Sequence, residues 1–525
     1  MTLLSEDAVP AVISQPVAFT RRRPVSGITE RGPDLLPLEA GEQYRFTFAM
    51  DSCVGCHSCE VACAEQNNTP VDAQWRRVGE LEGGSFPDTR RFSLSMACNH
   101  CLEPTCLSGC PTNAYVKLDN GVVRHDAGEC IGCQYCIWNC PYEVPVFDRR
   151  RKIVSKCDMC LPRLEAGQAP ACVGACPTRA ITVEKVDVTA WRADHAEADA
   201  PGLPPADITL STTRVSRPEG MPADTAAASD HRIDPEDPHW PLVGLTLLTQ
   251  LSLGIVAATV ATQLTGRAGE GTLAGGALGG ALAGATALAA SLFHLGRPTH
   301  AFKALRNLRT SWLSREVALF SAFAGVSLLY AAVWRAAVRD GVPGLGAALG
   351  VTAVVLGAAG VYASGRLYLV PARPVWNSRR TLVSFFTTGV SLGPLVTLFC
   401  LDRAVVDPAW IALLLGASAL GTLLQLAVHA HLVGTVRRRD DRQHRGTATL
   451  LLERFRGLFA ARLVLAGTGL VLLLAATAVP LASAAAAGRF GTGLVVLALG
   501  EVFGRYLFYV TVVPFGTAGS FGARR

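Results

Sequence analysis

Seventeen cysteines occur in this 525-residue chain, and sixteen of them fall into four quartets. No other feature restricts the fold so sharply, because thiols at such spacing must converge on a shared partner. The first quartet is Cys53, Cys56, Cys59 and Cys63, and the second is Cys98, Cys101, Cys106 and Cys110. The third is Cys130, Cys133, Cys136 and Cys140, and the fourth is Cys157, Cys160, Cys172 and Cys176. Three of the four end in Cys-Pro, at Pro111, Pro141 and Pro177. The first and third follow C-x2-C-x2-C-x3-C, the run that wraps a cubane iron–sulfur cluster. Iron in such a cluster prefers thiolate sulfur. Gly55 and Gly132 sit inside these loops, where a missing Cβ lets the backbone approach the cluster closely. In two-cluster ferredoxins the fourth cysteine of each run ligates the other cluster. Each cluster here is therefore expected to take three cysteines from one quartet and one from a partner quartet. The proline after the fourth cysteine turns the chain away. All sixteen cysteines are expected as iron ligands of four 4Fe-4S clusters, a wire for single electrons. Zinc normally uses two C-x2-C pairs separated by a longer loop. Disulfides suit a small secreted domain, and nothing here looks secreted. Cys400 stands apart in an apolar segment and reads as a buried small hydrophobe.

Composition divides the chain near Trp240 into a polar, Cys-rich part and a part dominated by Leu, Ala, Val and Gly. The pooled charge of +6 averages two unlike regions, and no arginine-and-aromatic face points to nucleic acid. Residues 1–43 carry no apolar period and are expected as a flexible extension. Arg21, Arg22 and Arg23 are not followed by an apolar run, so they read as a basic patch and no export signal is visible. Residues 44–186 hold the cysteines, with strand-like runs at Tyr44–Met50, Arg91–Met96, Val122–His125 and Ile181–Val186. Small hairpins and helices around clusters are expected there, with ligation supplying much of the folding energy. Residues 187–239, rich in Ala, Pro and Asp, are expected as a linker, with Ile208–Arg214 lying extended on the cluster domain. Residues 240–515 are expected as a membrane domain and 516–525 as a C-terminal tail. The fold class expected is multidomain: an α+β double ferredoxin-like iron–sulfur domain, then an all-α transmembrane domain of eight helices.

A spanning helix needs about 20 mostly apolar residues. Eight runs qualify: 241–264, 272–293, 316–334, 344–365, 382–401, 409–433, 463–484 and 491–513. Small residues such as Gly275, Gly276, Gly279 and Gly280 would let helices approach closely in lipid. Trp240, Trp312, Trp334, Trp376 and Trp410 lie at the expected span ends, as interface anchors would. The even loops carry 17 Lys and Arg residues, Arg462 among them, and the odd loops carry 5: Arg267, Arg335, Arg339, Arg403 and Arg489. The positive-inside rule then places the even loops, and with them the iron–sulfur domain, in the cytoplasm of a multi-pass plasma-membrane protein.

Ionisable groups in spans are expensive and often functional. His294 ends the second span and Glu316 begins the third, both at the cytoplasmic boundary. A quinol losing two electrons must also lose two protons, and a His and a carboxylate within reach of its hydroxyls can accept them. Snorkelling of His294 and helix capping by Glu316 beside Arg315 is the competing reading. Glu501 and Arg505, four apart, can pair on one helix face. His429 and His431 face different directions. Either is conceivable as a haem ligand opposite His294, but no pair of facing helices each carrying a His emerges.

Residues 44–186 resemble the four-cluster electron-transfer subunit of dimethyl sulfoxide reductase-type molybdoenzymes. The motifs are Cys53-Val-Gly-Cys-His-Ser-Cys-Glu-Val-Ala-Cys63, Cys98-Asn-His-Cys-Leu-Glu-Pro-Thr-Cys106 and Lys156-Cys-Asp-Met-Cys160. Residues 239–515 resemble the membrane anchor subunit of the same enzymes. Its motifs are His239-Trp-Pro-Leu, His294-Leu-Gly-Arg-Pro298, Ser311-Trp-Leu-Ser-Arg-Glu316, Arg373-Pro-Val-Trp-Asn377 and Gly500-Glu-Val-Phe-Gly-Arg-Tyr-Leu-Phe-Tyr509. The resemblance implies that the first quartet shares clusters with the fourth, and the second with the third. One cluster would use Cys53, Cys56, Cys59 and Cys176, and another Cys157, Cys160, Cys172 and Cys63. The inner two would use Cys98, Cys101, Cys106 with Cys140, and Cys130, Cys133, Cys136 with Cys110. Because Cys133 is present, four cubanes rather than a three-iron variant are implied.

The resemblance further implies a quinone site at His294 and Glu316, serving menaquinone or ubiquinone, with no haem. It implies a molybdopterin-containing catalytic subunit as partner, beside membrane lipid and quinone. The family usually keeps cluster subunit and anchor as two chains, and here they are fused. The expected function is transfer of electrons between the membrane quinone pool and that catalytic subunit, by quinol oxidation. Alternatives are a quinone-reducing subunit of a cytoplasm-facing sulfite dehydrogenase-like complex, or a redox-linked ion pump or membrane sensor.

Overall fold

The computed structural model of the chain describes residues 37–518, apart from 268–269, 336–342, 402–405 and 482. Most of the expected N-terminal extension, with Arg21, Arg22 and Arg23, lies outside the described residues, as do Arg339, Arg403 and the tail beyond 518. The strands run in chain order as β1 (Glu42–Ala49), β2 (Arg77–Gly83), β3 (Arg90–Met96), β4 (Tyr115–Lys117), β5 (Val123–His125), β6 (Val146–Asp148), β7 (Ile153–Ser155), β8 (Ile181–Asp187), β9 (Arg214–Ser216) and β10 (Ala226–Ala227). Those of three residues or fewer are too short to show a period of two in the sequence. β2 carries Gly and Glu at alternate positions, which hid it.

The antiparallel pairing of β1 with β8 closes the domain. Its register runs from Glu42↔Asp187 to Phe48↔Ile181. Phe46 and Phe48, both buried, and Ile181 and Val183 pack into the core beneath. This one long-range pairing sets the segment just before the first quartet beside the segment just after the fourth. Inside it, the hairpin β4–β5 follows the second quartet and β6–β7 follows the third. Single-turn helices present cysteines between them: Thr105–Gly109 holds Cys106, Tyr135–Asn139 holds Cys136 and Ala171–Gly174 holds Cys172.

The segment 187–239, expected as a linker, is folded onto the cluster domain. A helix at Val188–Asp194 buries Trp191, whose Nε1 donates to the Ser211 carbonyl at 2.8 Å. β9 adds parallel to β1, and β10 adds to β2. Both strands would otherwise present unpaired backbone N–H and C=O groups. Edge pairing of this kind uses backbone rather than apolar side chains, so the composition did not betray it.

Among the described residues eight helices are long and apolar enough to cross a membrane, and the chain is a multi-pass membrane protein. They are Trp240–Leu264, Glu270–Leu292, Trp312–Arg335, Pro343–Leu367, Arg379–Cys400, Pro408–Arg438, Arg456–Thr477 and Ala484–Val510, spans one to eight. At 1.5 Å per residue the first is about 37 Å long. Several begin or end beyond the apolar run, where charged turns project past the hydrocarbon. Span three therefore starts at Trp312, with Glu316 in its second turn, and span seven starts at Arg456, so Arg462 is not a loop charge. Arg462 is 2 % exposed.

Glycines set the closest helix contacts. A Cβ on Gly254 of span one would meet the carbonyl of Gly389 in span five, and one on Gly393 would meet the backbone of Gly254. Gly276 and Gly280 of span two face Thr259 and Val256 of span one, while Gly275 and Gly279 face Cys400. Cys400 is only partly buried, lying against that glycine strip. Trp240 remains an exposed anchor, stacked on Tyr506 at 5.3 Å. Trp376 does not: it is buried, and its Nε1 donates to the Phe508 carbonyl at 2.9 Å. The loop before span five tucks over the bundle, held by the ion pair of Arg373 with Glu236 at 2.8 Å.

Candidate electron-transfer and quinone site

The seventeen cysteines are all free of disulfides. Sixteen gather in four groups. Cys53 has Cys56, Cys59 and Cys176 as its charged-state neighbours. Cys63 has Cys160 and Cys172, and Cys157 has Cys63. Cys106 has Cys98, Cys101 and Cys140. Cys110 neighbours Cys130, Cys133 and Cys136. Each group holds three cysteines of one quartet and one of another. Cys59 and Cys63 show how: on helix Ser58–Asn67 they are one turn apart on the same face, each turned to a different group.

Two of the groups surround a space rather than a point. Among the described residues no three His, Cys, Asp or Glu side chains converge tightly enough for a single metal ion. Instead, cavities are lined by Cys53, Cys56, Cys59 and Cys176, and by Cys98, Cys101, Cys106 and Cys140. All-thiol donor sets around such spaces fit polynuclear iron–sulfur clusters and not a zinc ion. Gly55 (φ +64°) and Gly132 (φ +69°) hold the loops in a left-handed turn, and a Cβ on Gly55 would meet Ser93 Oγ at 2.7 Å. Backbone N–H groups turn to sulfur, from Met159 to Cys157 at 3.3 Å and from Gly132 to Cys130 at 3.4 Å. Burial pushes the thiols of Cys63, Cys101 and Cys140 up to about 12, so only a bound cation makes them thiolates at neutral pH.

The groups form a line. Cys59 senses Cys172, and Cys157 senses Cys98. Tyr115 lies between Cys106 of one group and Cys110 and Cys136 of the next. Two buried cations, missed by sequence reasoning, stand along it. Arg76 faces Cys59, Cys63, Cys157 and Cys172, and Lys156 faces Cys98, Cys106 and Cys157. At one end Cys56 is exposed. At the other end the group of Cys110, Cys130, Cys133 and Cys136 sits on the anchor.

That seam is built from backbone acceptors of the cysteine loops. Asn307 Nδ2 donates to the Cys110 carbonyl at 2.8 Å, Ser311 Oγ to Gly109 at 2.8 Å, and Arg297 N to Ile131 at 3.0 Å. Tyr135 Oη donates to the Leu367 carbonyl at 2.9 Å. Gly296 lies so close that a Cβ would strike the Lys152 carbonyl. His294 Nε2 lies 3.2 Å from the carbonyl of Cys133. A carbonyl only accepts, so Nε2 carries the proton and Nδ1 keeps its lone pair.

His294 packs its ring on His239 at 5.2 Å, and His239 meets Trp138 at 5.1 Å. Glu316 is 4 % exposed, with Tyr135, Tyr368 and Tyr509 as its electrostatic neighbours. Tyr368 and Tyr509 share a hydroxyl contact of 2.5 Å. No hydrogen bond joins His294 to Glu316 among the described residues; an aromatic cluster lies between them. Arg315, the expected neighbour of a capping Glu316, instead donates to the Leu308 and Arg309 carbonyls.

Glu501 and Arg505 do not pair with each other. Glu501 binds Arg462 of span seven at 2.5 Å and accepts from Thr388 at 2.8 Å, while Arg505 donates to Gln250 at 2.8 Å. Gly500 and Gly504 make room for the Arg462 guanidinium. His429 donates to the Gln425 carbonyl at 2.7 Å, and His431 is exposed.

Two family models match the chain. The DMSO reductase anchor subunit (DmsC) family matches residues 236–510, and a 4Fe-4S dicluster domain matches residues 90–186. One chain of the anaerobic dimethyl sulfoxide reductase of Haemophilus influenzae is 37% identical over 177 residues, 32% of the present chain and 86% of its own length. Its Escherichia coli namesake is 34% identical over 191 residues, 34% of the present chain and 93% of its own length. A sulfite dehydrogenase subunit of Allochromatium vinosum is 37% identical over 160 residues, 26% of the present chain and 67% of its own length. Thiol groups set against a helical anchor, and matches to both parts, lead to one conclusion: the chain belongs to the dimethyl sulfoxide reductase family, as its electron-transferring iron–sulfur subunit fused to its membrane anchor subunit.

Proposed function

We propose that the chain oxidises a membrane quinol beside His294 and Glu316 and passes the electrons through four 4Fe-4S clusters to a molybdopterin catalytic subunit. The observation that carries this reading is the hydrogen bond from His294 to the carbonyl of Cys133. It ties a proton-accepting imidazole directly to the thiol group nearest the anchor. The quinol gives up two protons and two electrons. Nδ1 of His294 and the carboxylate of Glu316 take one proton each, the buried surroundings of Glu316 excluding bulk water. Loaded, the clusters supply one-electron carriage. Arg76 and Lys156 offset the charge that accumulates along the line.

The catalytic partner docks at the far end, beside exposed Cys56. Val54 (67 % exposed), Val61 (57 %) and Phe86 (92 %) supply an apolar surface there. The iron–sulfur domain faces the cytoplasm, because it packs on the Arg-rich even loops, Lys303 and Arg306 pairing with Glu129. Protease digestion of inverted vesicles, but not of spheroplasts, is expected to cleave the 187–239 segment.

The test is reconstitution of the purified complex with a quinol analogue, followed by cluster EPR. Quinol-dependent reduction is expected in the wild type and is lost in His294→Ala and Glu316→Ala with all clusters present. Normal reduction in both variants removes the site. A second reading, quinone reduction, is favoured by the match to a sulfite dehydrogenase subunit. Clusters that stay oxidised with quinol in a competent preparation would decide for it.

A further inference from the structure

A polar cavity lies in the anchor between spans five to eight, lined by neither His294 nor Glu316. Water-sized spheres can occupy about 80 Å³ of it. Its polar wall includes Arg380, Gln425, His429, Arg462, Glu501 and Arg505. Arg462 is 2 % exposed, Arg505 4 % and Glu501 5 %. The one buried carboxylate of the wall is bound by Arg462 and not by Arg505, leaving a buried positive charge that needs an anion. Nε and Nη1 of Arg462 and Nη1 of Arg505 and Arg380 are buried donors without a protein acceptor. Glu501 is already engaged by Arg462 and Thr388.

The depth is informative. From the cluster-side ends of their helices, Arg505 lies about 8 Å in, Arg462 about 9 Å and Glu501 about 14 Å. Leu451, in the π-helical turn Leu450–Arg454 that leads into span seven, closes one side of the cavity. Such turns are frequent at functional sites. On the outer surface of span six, beside the lining residue Val428, Leu420 and Leu424 are exposed, a track for acyl chains.

We infer that this cavity binds the phosphate headgroup of an anionic phospholipid, Arg380 at the entrance and Arg462 and Arg505 within, with its tails along span six. Basic pockets between helices at this membrane depth recognise phosphate headgroups through charge-assisted hydrogen bonds. The proposal is independent of the quinone reading, because it uses no residue of that site.

The test is mass spectrometry of lipid and quinone retained by the complex after exhaustive detergent exchange. It compares the wild type, Arg380→Gln, Arg505→Gln and the double variant Arg462→Gln/Glu501→Gln, which removes the ion pair without stranding either charge. An undiminished far-UV helical signal, with undiminished cluster EPR, establishes that each variant is folded. Wild type is expected to retain anionic phospholipid, and each lost arginine to lower occupancy in lipid titrations about fivefold. Equal retention in all four would overturn the proposal, as would quinone instead of phospholipid being the molecule lost from the variants. A rise in melting midpoint of wild type alone with inorganic phosphate, without lipid retention, would overturn the lipid assignment and assign the cavity to free phosphate.

Discussion

Arg76 and Lys156 are the residues whose charge matters most to the electron path, since each is buried among thiols of two neighbouring groups. A cation there stabilises the reduced, more negative state of a cluster and raises its potential. Arg76→Gln is therefore expected to lower the potentials of the two outer clusters, and Lys156→Gln those of the adjacent pair. The size should be on the order of 100 mV for one charge at an effective dielectric near 20. EPR-monitored redox titration measures both. The thiol grouping makes a second residue-level prediction. Cys53→Ser and Cys176→Ser should disturb the same EPR signal, and Cys63→Ser and Cys172→Ser another. Were each quartet to serve its own cluster, Cys172→Ser and Cys176→Ser would instead match.

Among the elements, the helices touch where side chains are absent. Gly254→Leu would force span one off span five, because its side chain would meet the Gly389 backbone. A loss of roughly 1–3 kcal/mol is expected from overpacking of this kind. Gly416→Leu is the control, since nothing lies within 4 Å of its Cβ position. Thermal unfolding in detergent should separate the two. In the cluster domain the elements are too small to stand alone: hairpins of three-residue strands and single-turn helices bury little without the groups they surround. Stripping iron with a chelator is expected to abolish the near-UV signature of residues 44–186 while the far-UV helical signal of the spans persists.

Across the molecule, the proposed transfer from quinol to clusters depends on the seam between the two parts. Gly296→Val would wedge the anchor loop from the Lys152 carbonyl. It is expected to slow quinol-dependent cluster reduction in stopped-flow measurements while leaving cluster potentials and dithionite reduction unchanged. Much of this protein is legible in contiguous sequence. Cysteine spacing is a local constraint, since three thiols within seven residues can reach one cubane, and span length follows from the thickness of lipid. Arg76 and Lys156, the Arg462–Glu501 contact, and the folding of 187–239 onto β1 and β2 are not legible there, because each joins residues far apart along the chain. The pairing of Glu501 with Arg505 fits the four-residue helical spacing, yet Arg462 takes the carboxylate, since Gly500 and Gly504 open a path to it. Local spacing alone thus requires cluster-binding loops and membrane spans in one chain. Which thiols gather, which charge meets which, and that His294 touches the loop of Cys133 are settled only on folding. Those contacts depend on distances that the register of β1 with β8 and the packing of helices impose.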